Sequence, residues 1–204
     1  KSEQLNQLAR EMGADATLPL AAAANFVFGE GSPDAQVLFI GEAPGQKEDE
    51  LVRPFVGRSG QLLRQCIRET GWREEDVYIT NIVKRRPPEN RDPLPEEIEA
   101  YRPYLARQID IIMPPLVATL GRFSMNYFLP TAKISRDHGK LFILPRFAVY
   151  PLFHPAAALR GTEVLNLFKA DFQKLPQVLE KVRAAREEKT TEPLETIPTQ
   201  EKLF

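Results

Sequence analysis

A single cysteine in 204 residues sets the first boundary on this chain. Cys66 alone excludes an intramolecular disulfide framework and any site held by four thiolates, and it fits a reducing compartment. Long apolar runs are missing as well. The most apolar early stretch, Leu18 to Phe28, is too short to cross a bilayer, and Glu3, Glu11 and Asp15 precede it where a secretory leader would be basic. A cytoplasmic protein with no membrane anchor is expected. Internal repeats are absent. The formal net charge is only -1, so a nucleic-acid partner would have to be met by a local basic patch and not by the field of the whole molecule. A phosphate-cradling loop is lacking too. Gly45, Gln46, Lys47, Glu48 and Asp49 follow an apolar run at Val37 to Ile40, and they supply neither the hydroxyl nor the spacing that nucleotide hydrolysis requires.

What is present alternates between strand and helix. Leu5, Leu8 and Met12 give the first twelve residues helical spacing, with Gly13 expected to end the helix before an alanine-rich connector at Ala21 to Ala24. Unbroken apolar runs at Val37 to Ile40, Val77 to Val83 and Leu116 to Leu120 suit strands buried on both faces of a parallel sheet. Leu141 to Phe153 predicts one or two more, interrupted by Pro145 and Pro151. Between them, Leu62, Leu63, Cys66 and Ile67 share one face of a helix that Ser59 would cap and Gly71 would stop, which makes Cys66 a small core residue. A second helix carries Ile98, Tyr101, Leu105, Ile109 and Ile112, with a kink expected at Pro103. A short helix is expected over Arg122 to Leu129, and a last amphipathic one over Leu165 to Leu179. The alternation implies a three-layer α/β/α sandwich around a central, mainly parallel sheet. Residues 1–25 read as a helix and connector, 26–183 as the domain, and 184–204 as a polar tail with too few apolar residues to fold alone.

Three strand ends carry polar side chains. Glu42 follows the first strand, Asn81 closes the second and His154 follows the last, where ligands gather in parallel sheets. Gly41 and Gly45 free the backbone for close approach, and Phe55 offers an aromatic face. A carboxylate, an amide, an imidazole and a ring describe a base pocket. The amide can accept from uracil N3–H and donate to O4, whereas cytosine reverses both polarities. An imidazole N–H at O2 would stabilise the uracil anion as the glycosidic bond breaks, and a carboxylate near the sugar would stabilise the developing cation or orient the attacking water. Between Arg53 and Arg91 nine basic residues outnumber five acidic ones, and the knot Lys84, Arg85, Arg86 offers a DNA-binding patch.

The motifs GEAPGQKED, RPFVGRSGQLL, VYITNIVKRRPPENRDPLPEEI, LGRF and HPAAALR resemble, in order, those of the family 4 uracil-DNA glycosylases, over roughly residues 14–180. The resemblance implies a monofunctional enzyme that flips uracil out of double- or single-stranded DNA and hydrolyses its N-glycosidic bond, leaving an abasic site for base excision repair. It also implies roles. Glu42 and Ala43 position water, Glu48 excludes the thymine methyl, Phe55 stacks, Asn81 reads the base and His154 holds O2. The loop opened by Pro155 would enter the minor groove, with Leu159 filling the gap left by the flipped nucleotide and Arg160 holding phosphate alongside Lys84 and Arg86.

Two departures accompany the resemblance. The family's four cysteine ligands to a 4Fe-4S cluster correspond to about Ala14, Thr17, Arg85 and Tyr101, none able to ligate iron, so the cluster is expected to be absent, with no other metal in its place. Tyr101 would then fill the vacated space with Leu18 to Leu20, while Arg85 stacks on a ring or turns out to phosphate. Ala156 also stands where a hydroxyl often contacts phosphate. A non-catalytic uracil-DNA binding module is the competing expectation, and the joint presence of Glu42, Asn81 and His154 favours the enzyme. The protein is expected to be a monomer. Its final residues, Gln200, Leu203 and Phe204, match the spacing of the short peptide by which bacterial repair proteins bind the sliding clamp.

Overall fold

The computed structural model describes residues 1–191. Its centre is a six-stranded sheet built from β1 (Glu30–Gly31), β2 (Val37–Gly41), β3 (Tyr78–Asn81), β4 (Leu116–Leu120), β5 (Phe142–Ile143) and β6 (Ala148–Leu152). The order is β1-β3-β2-β4-β6-β5. The four inner strands run parallel, and the two-residue strands at the edges pair antiparallel. Every residue of β2, β3, β4 and β6 is buried, which is why these segments read as apolar runs without alternation.

Side chains alternate between two cores. Phe39, Ile79, Ala118, Leu120 and Tyr150 face α3 (Arg58–Glu69), α8 (Thr162–Gln173) and α9 (Leu175–Thr191), where Phe39 stacks on Phe172 with ring centroids 5.5 Å apart. On the other face, Leu38, Ile40, Tyr78, Val117 and Val149 meet α1 (Ser2–Ala14) and α4 (Pro95–Ile112). These are the three layers of an α/β sandwich. Shorter helices complete the connections: α2 (Gln46–Leu51), α5 (Arg122–Phe128), α6 (Ile134–Asp137) and α7 (Pro155–Ala158). No helix among the described residues is long and apolar enough to cross a membrane.

Several element boundaries differ from the sequence expectation. The first helix continues through Gly13 to Ala14. Gly57, not Ser59, is the N-cap of α3, and the Glu48 carboxylate accepts the N–H groups of Val56 and Gly57 there, each at 2.8 Å. The expected single helix over Leu165 to Leu179 is two, because Lys174 closes α8 as its C-cap before α9 begins. That second helix continues past Ala185 to Thr191. Pro103 lies within α4, which runs on to Ile112. Cys66 sits in the core as expected, where burial pushes its thiol up to about 11 and keeps it protonated.

Candidate active site

The register of the parallel strands aligns their carboxyl ends. Gly41 pairs with Asn81 and Leu120 with Leu152, so Glu42, Asn81, Gly121 and His154 emerge side by side at one edge of the sheet. Backbone pairing continues beyond the strands, since Ile82 and Val83 donate to the carbonyls of Gly41 and Glu42, both at 3.0 Å. A cavity of about 590 Å³ opens at this edge, a size suited to a small ligand. Glu42, Ala43, Glu48, Phe55, Asn81 and His154 line it together.

Asn81 is nearly inaccessible, and its Oδ1 is buried without a hydrogen-bond partner. A buried acceptor left open is costly, so this atom is poised for a donor that enters the cavity. Gly41 makes the arrangement possible: a Cβ there would lie 2.4 Å from both Asn81 Oδ1 and Phe55 Cζ. Phe55 itself has φ of 51°, a left-handed backbone that a bulky residue adopts only when its surroundings enforce it. Its ring lies 6.0 Å from the His154 imidazole, tilted by 36°.

His154 is the N-cap of α7, and its Nδ1 accepts the N–H of Ala156 at 3.1 Å. That bond leaves Nε2 to carry the proton of a neutral ring. Burial pushes the imidazole down to about 4, Arg160 adding to the effect and the Glu48 charge opposing it. The ring is therefore a neutral donor at physiological pH. Gly121, with φ of 89°, lets the chain after β4 pass against it, since a Cβ would meet His154 Cβ at 2.9 Å.

Glu42 makes no side-chain hydrogen bond or ion pair with the described residues. Burial, reinforced by the charge of Asp92 and offset by Arg122, pushes its carboxyl up to about 7. The carboxylate is thus free for water and basic enough to polarise it. Asp92 pairs with Arg122, and with Arg91 they form a charged rim that the sequence reading did not single out. Their motifs, PENRDP and LGRF, were visible, but no periodicity brings positions 92 and 122 together.

The residues expected to contact DNA divide. Arg160 borders the cavity, Leu159 is 42% exposed beyond α7, Pro155 is buried as the first residue of that helix, and Arg86 donates to Asn90 Oδ1 at the cavity wall. Lys84 does not belong with them. It is fully buried, and its Nζ donates to Thr80 Oγ1, to the Asn81 carbonyl at 2.8 Å and to Gln108 Oε1 at 2.7 Å. Burial holds its pKa well below the usual lysine value, and no phosphate can reach it. Its part is to brace the strand end that presents Asn81.

The family model described as "Uracil DNA glycosylase superfamily" matches residues 28–180. The chain belongs to that superfamily. It is 45% identical over 164 residues to the type-4 uracil-DNA glycosylase of Sulfurisphaera tokodaii, covering 76% of this chain and 74% of that protein. The type-4 enzyme of Thermotoga maritima is 42% identical over 162 residues, covering 77% and 84%, whereas a type-5 uracil-DNA glycosylase of Thermus thermophilus is 28% identical over 137 residues.

Ala14, Thr17, Arg85 and Tyr101, the positions at which the resemblance implies cluster ligands, do not fit an iron-sulfur centre. Ala14 ends α1, and Thr17 donates through its backbone N–H and its hydroxyl to Asp15. The Arg85 guanidinium stands 5.2 Å from the centroid of the Phe26 ring and donates to Tyr101 Oη (3.3 Å) and the Gly13 carbonyl (3.4 Å). Tyr101, wholly buried, donates to the Pro19 carbonyl at 2.8 Å. No thiolate stands among them, and Cys66 belongs to the opposite core. Of the two positions expected for Arg85, it takes the one on a ring.

Proposed function

We propose that this chain is a monofunctional uracil-DNA glycosylase acting on double- or single-stranded DNA. The observation that carries the reading is the buried, unpartnered Oδ1 of Asn81, an acceptor on a residue that lines the cavity together with the aromatic ring of Phe55. An extruded uracil stacks on Phe55 and donates N3–H to that oxygen, while Glu48 occupies the wall against the 5-methyl of thymine. Cytosine has no proton at N3. The His154 Nε2–H donates to O2 and stabilises the anion as the C1′–N1 bond breaks with its electron pair on the base. Glu42 stabilises the sugar cation, orients water to C1′ and takes up its proton. The lining of the cavity contains no lysine among the described residues, so an imine to the sugar has no candidate nucleophile.

The reaction proceeds without an iron-sulfur cluster, on the donor set present here; stoichiometric iron and a brown colour in freshly purified protein would overturn this. We place the enzyme in the cytoplasm as a monomer, and take residues 26–183 as its domain with α1 packed onto it. Gln200, Leu203 and Phe204 lie outside the described residues, and their spacing supports a sliding-clamp contact. A peptide of residues 195–204 should bind the clamp of its host, and no binding by peptide or full chain would retire the idea. The function itself is tested by incubating labelled oligonucleotides carrying uracil, thymine or cytosine, cleaving with alkali and resolving the strands. Cleavage at uracil alone is expected, and cleavage at none of the three would refute it.

A further inference from the structure

Arg64 projects from α3 with only 9% of its surface exposed, a buried cation that nothing in the chemistry above employs. Its Nε donates to the carbonyl of Phe55 at 2.8 Å, and one terminal nitrogen donates to that of Pro54, also at 2.8 Å. The outer edge of the guanidinium is held by Glu30 Oε1 at 2.6 Å and Glu74 Oε2 at 2.7 Å. Those carboxylates also bind the more exposed Arg53 and Arg68. Two adjacent carbonyls and two acids match the planar fork of an arginine, which a single ammonium could not span.

The backbone it grips is strained. Phe55 adopts its left-handed φ of 51° between Arg64, which takes the carbonyls, and Glu48, which takes the N–H groups of Val56 and Gly57. Gly60 lets α3 press directly on this peptide, since a Cβ there would lie 2.0 Å from the Phe55 carbonyl carbon. A conformation so disfavoured persists only where neighbours fix it, and it sets the ring against Gly41 at the cavity floor.

We propose that Arg64 is a positioning residue of the base pocket: by gripping the carbonyls of Pro54 and Phe55, it holds the Phe55 ring in its stacking position without touching the base. Loss of the grip lets Phe55 relax to an extended backbone, and the ring leaves the floor. The proposal rests on the reading of Phe55 as the stacking platform.

A double-mutant cycle in the full-length protein tests it. Single-turnover excision of uracil is measured for Arg64→Met, Arg64→Lys, Phe55→Leu and the Arg64→Met, Phe55→Leu double variant, with melting temperatures alongside. Each Met or Leu variant should lose about ten- to a hundredfold in rate, the scale of one base–aromatic stack. The double variant should be no slower than the worse single one, because Arg64 acts through the ring. Arg64→Lys should recover part of the rate by reaching one carbonyl. If Arg64→Met does not fold, Glu74→Gln loosens one tether of the guanidinium and should slow excision a few-fold, an effect absent in the Phe55→Leu background. Losses that multiply, or full activity in Arg64→Met, would overturn the proposal. Wild-type protein without excision would overturn the reading of the site, and this proposal with it.

Discussion

At the residue scale, the two groups assigned to chemistry have been driven in opposite directions by burial. Glu42 titrates near 7 and His154 near 4, so between those values the pocket holds a neutral imidazole and a carboxyl poised to ionise. Because the folded pKa of Glu42 lies above its ordinary value of 4.5, its stabilising contribution is complete below about 4.5 and is lost as pH rises through about 7. Glu42→Gln cannot ionise. It should therefore be more stable to unfolding than the wild type at pH 8, by on the order of 1–3 kcal/mol, and equally stable at pH 4. Excision by the wild type should fall on the acid side of pH 7, and the variant should lack that limb. Equal melting of the two proteins at pH 8 would argue that Glu42 is solvated. Asn81→Asp tests the base reader. A protonated carboxyl there would donate where the amide oxygen accepts, so uracil excision should fall by about ten- to a thousandfold while any residual activity shifts towards cytosine. Unchanged uracil excision would remove Asn81 from recognition.

At the scale of elements, the strands were legible because buried parallel strands lack polar residues, and the polar groups at their ends then stood out. Glu42, Asn81 and His154 were read that way, and they line one cavity. Helix ends were harder to place. Leu165 to Leu179 keeps its periodicity across Lys174, so nothing local announces the break between α8 and α9, and the N-cap of α3 is Gly57, whose N–H is held by Glu48 from outside the helix. Lys84 misled for a similar reason. Its partners come from positions 80, 81 and 108, and from sequence a lysine beside two arginines looks like surface. The segment that joins α1 to β1 is held by Tyr101, which donates to the Pro19 carbonyl, and by Arg85, which stands over Phe26. Tyr101→Ala should cost roughly 3 kcal/mol in unfolding free energy, the scale for deleting a buried ring. Tyr101→Phe should cost about 1 kcal/mol through the hydroxyl bonds alone. A Tyr101→Ala variant as stable as the wild type would show that the ring is not structural filler.

At the scale of the whole molecule, the sheet, set between two helical layers, brings the ends of its four parallel strands to one edge. The sandwich followed from the alternation of strands with helices, and the residues read as a base pocket line one cavity. The charged rim of Arg91, Asp92 and Arg122 was not legible, because it is assembled from a loop and a helix start that meet only in the fold. The central claim is that this edge recognises uracil and that Glu42 and His154 act mainly in the transition state. It is tested most directly by single-turnover excision of uracil from DNA by wild type, Glu42→Ala and His154→Ala, paired with their affinities for DNA carrying a non-cleavable uracil analogue. The account predicts rates reduced by at least about a hundredfold with affinities changed by less than about tenfold. Rates and affinities falling together by the same small factor would contradict it.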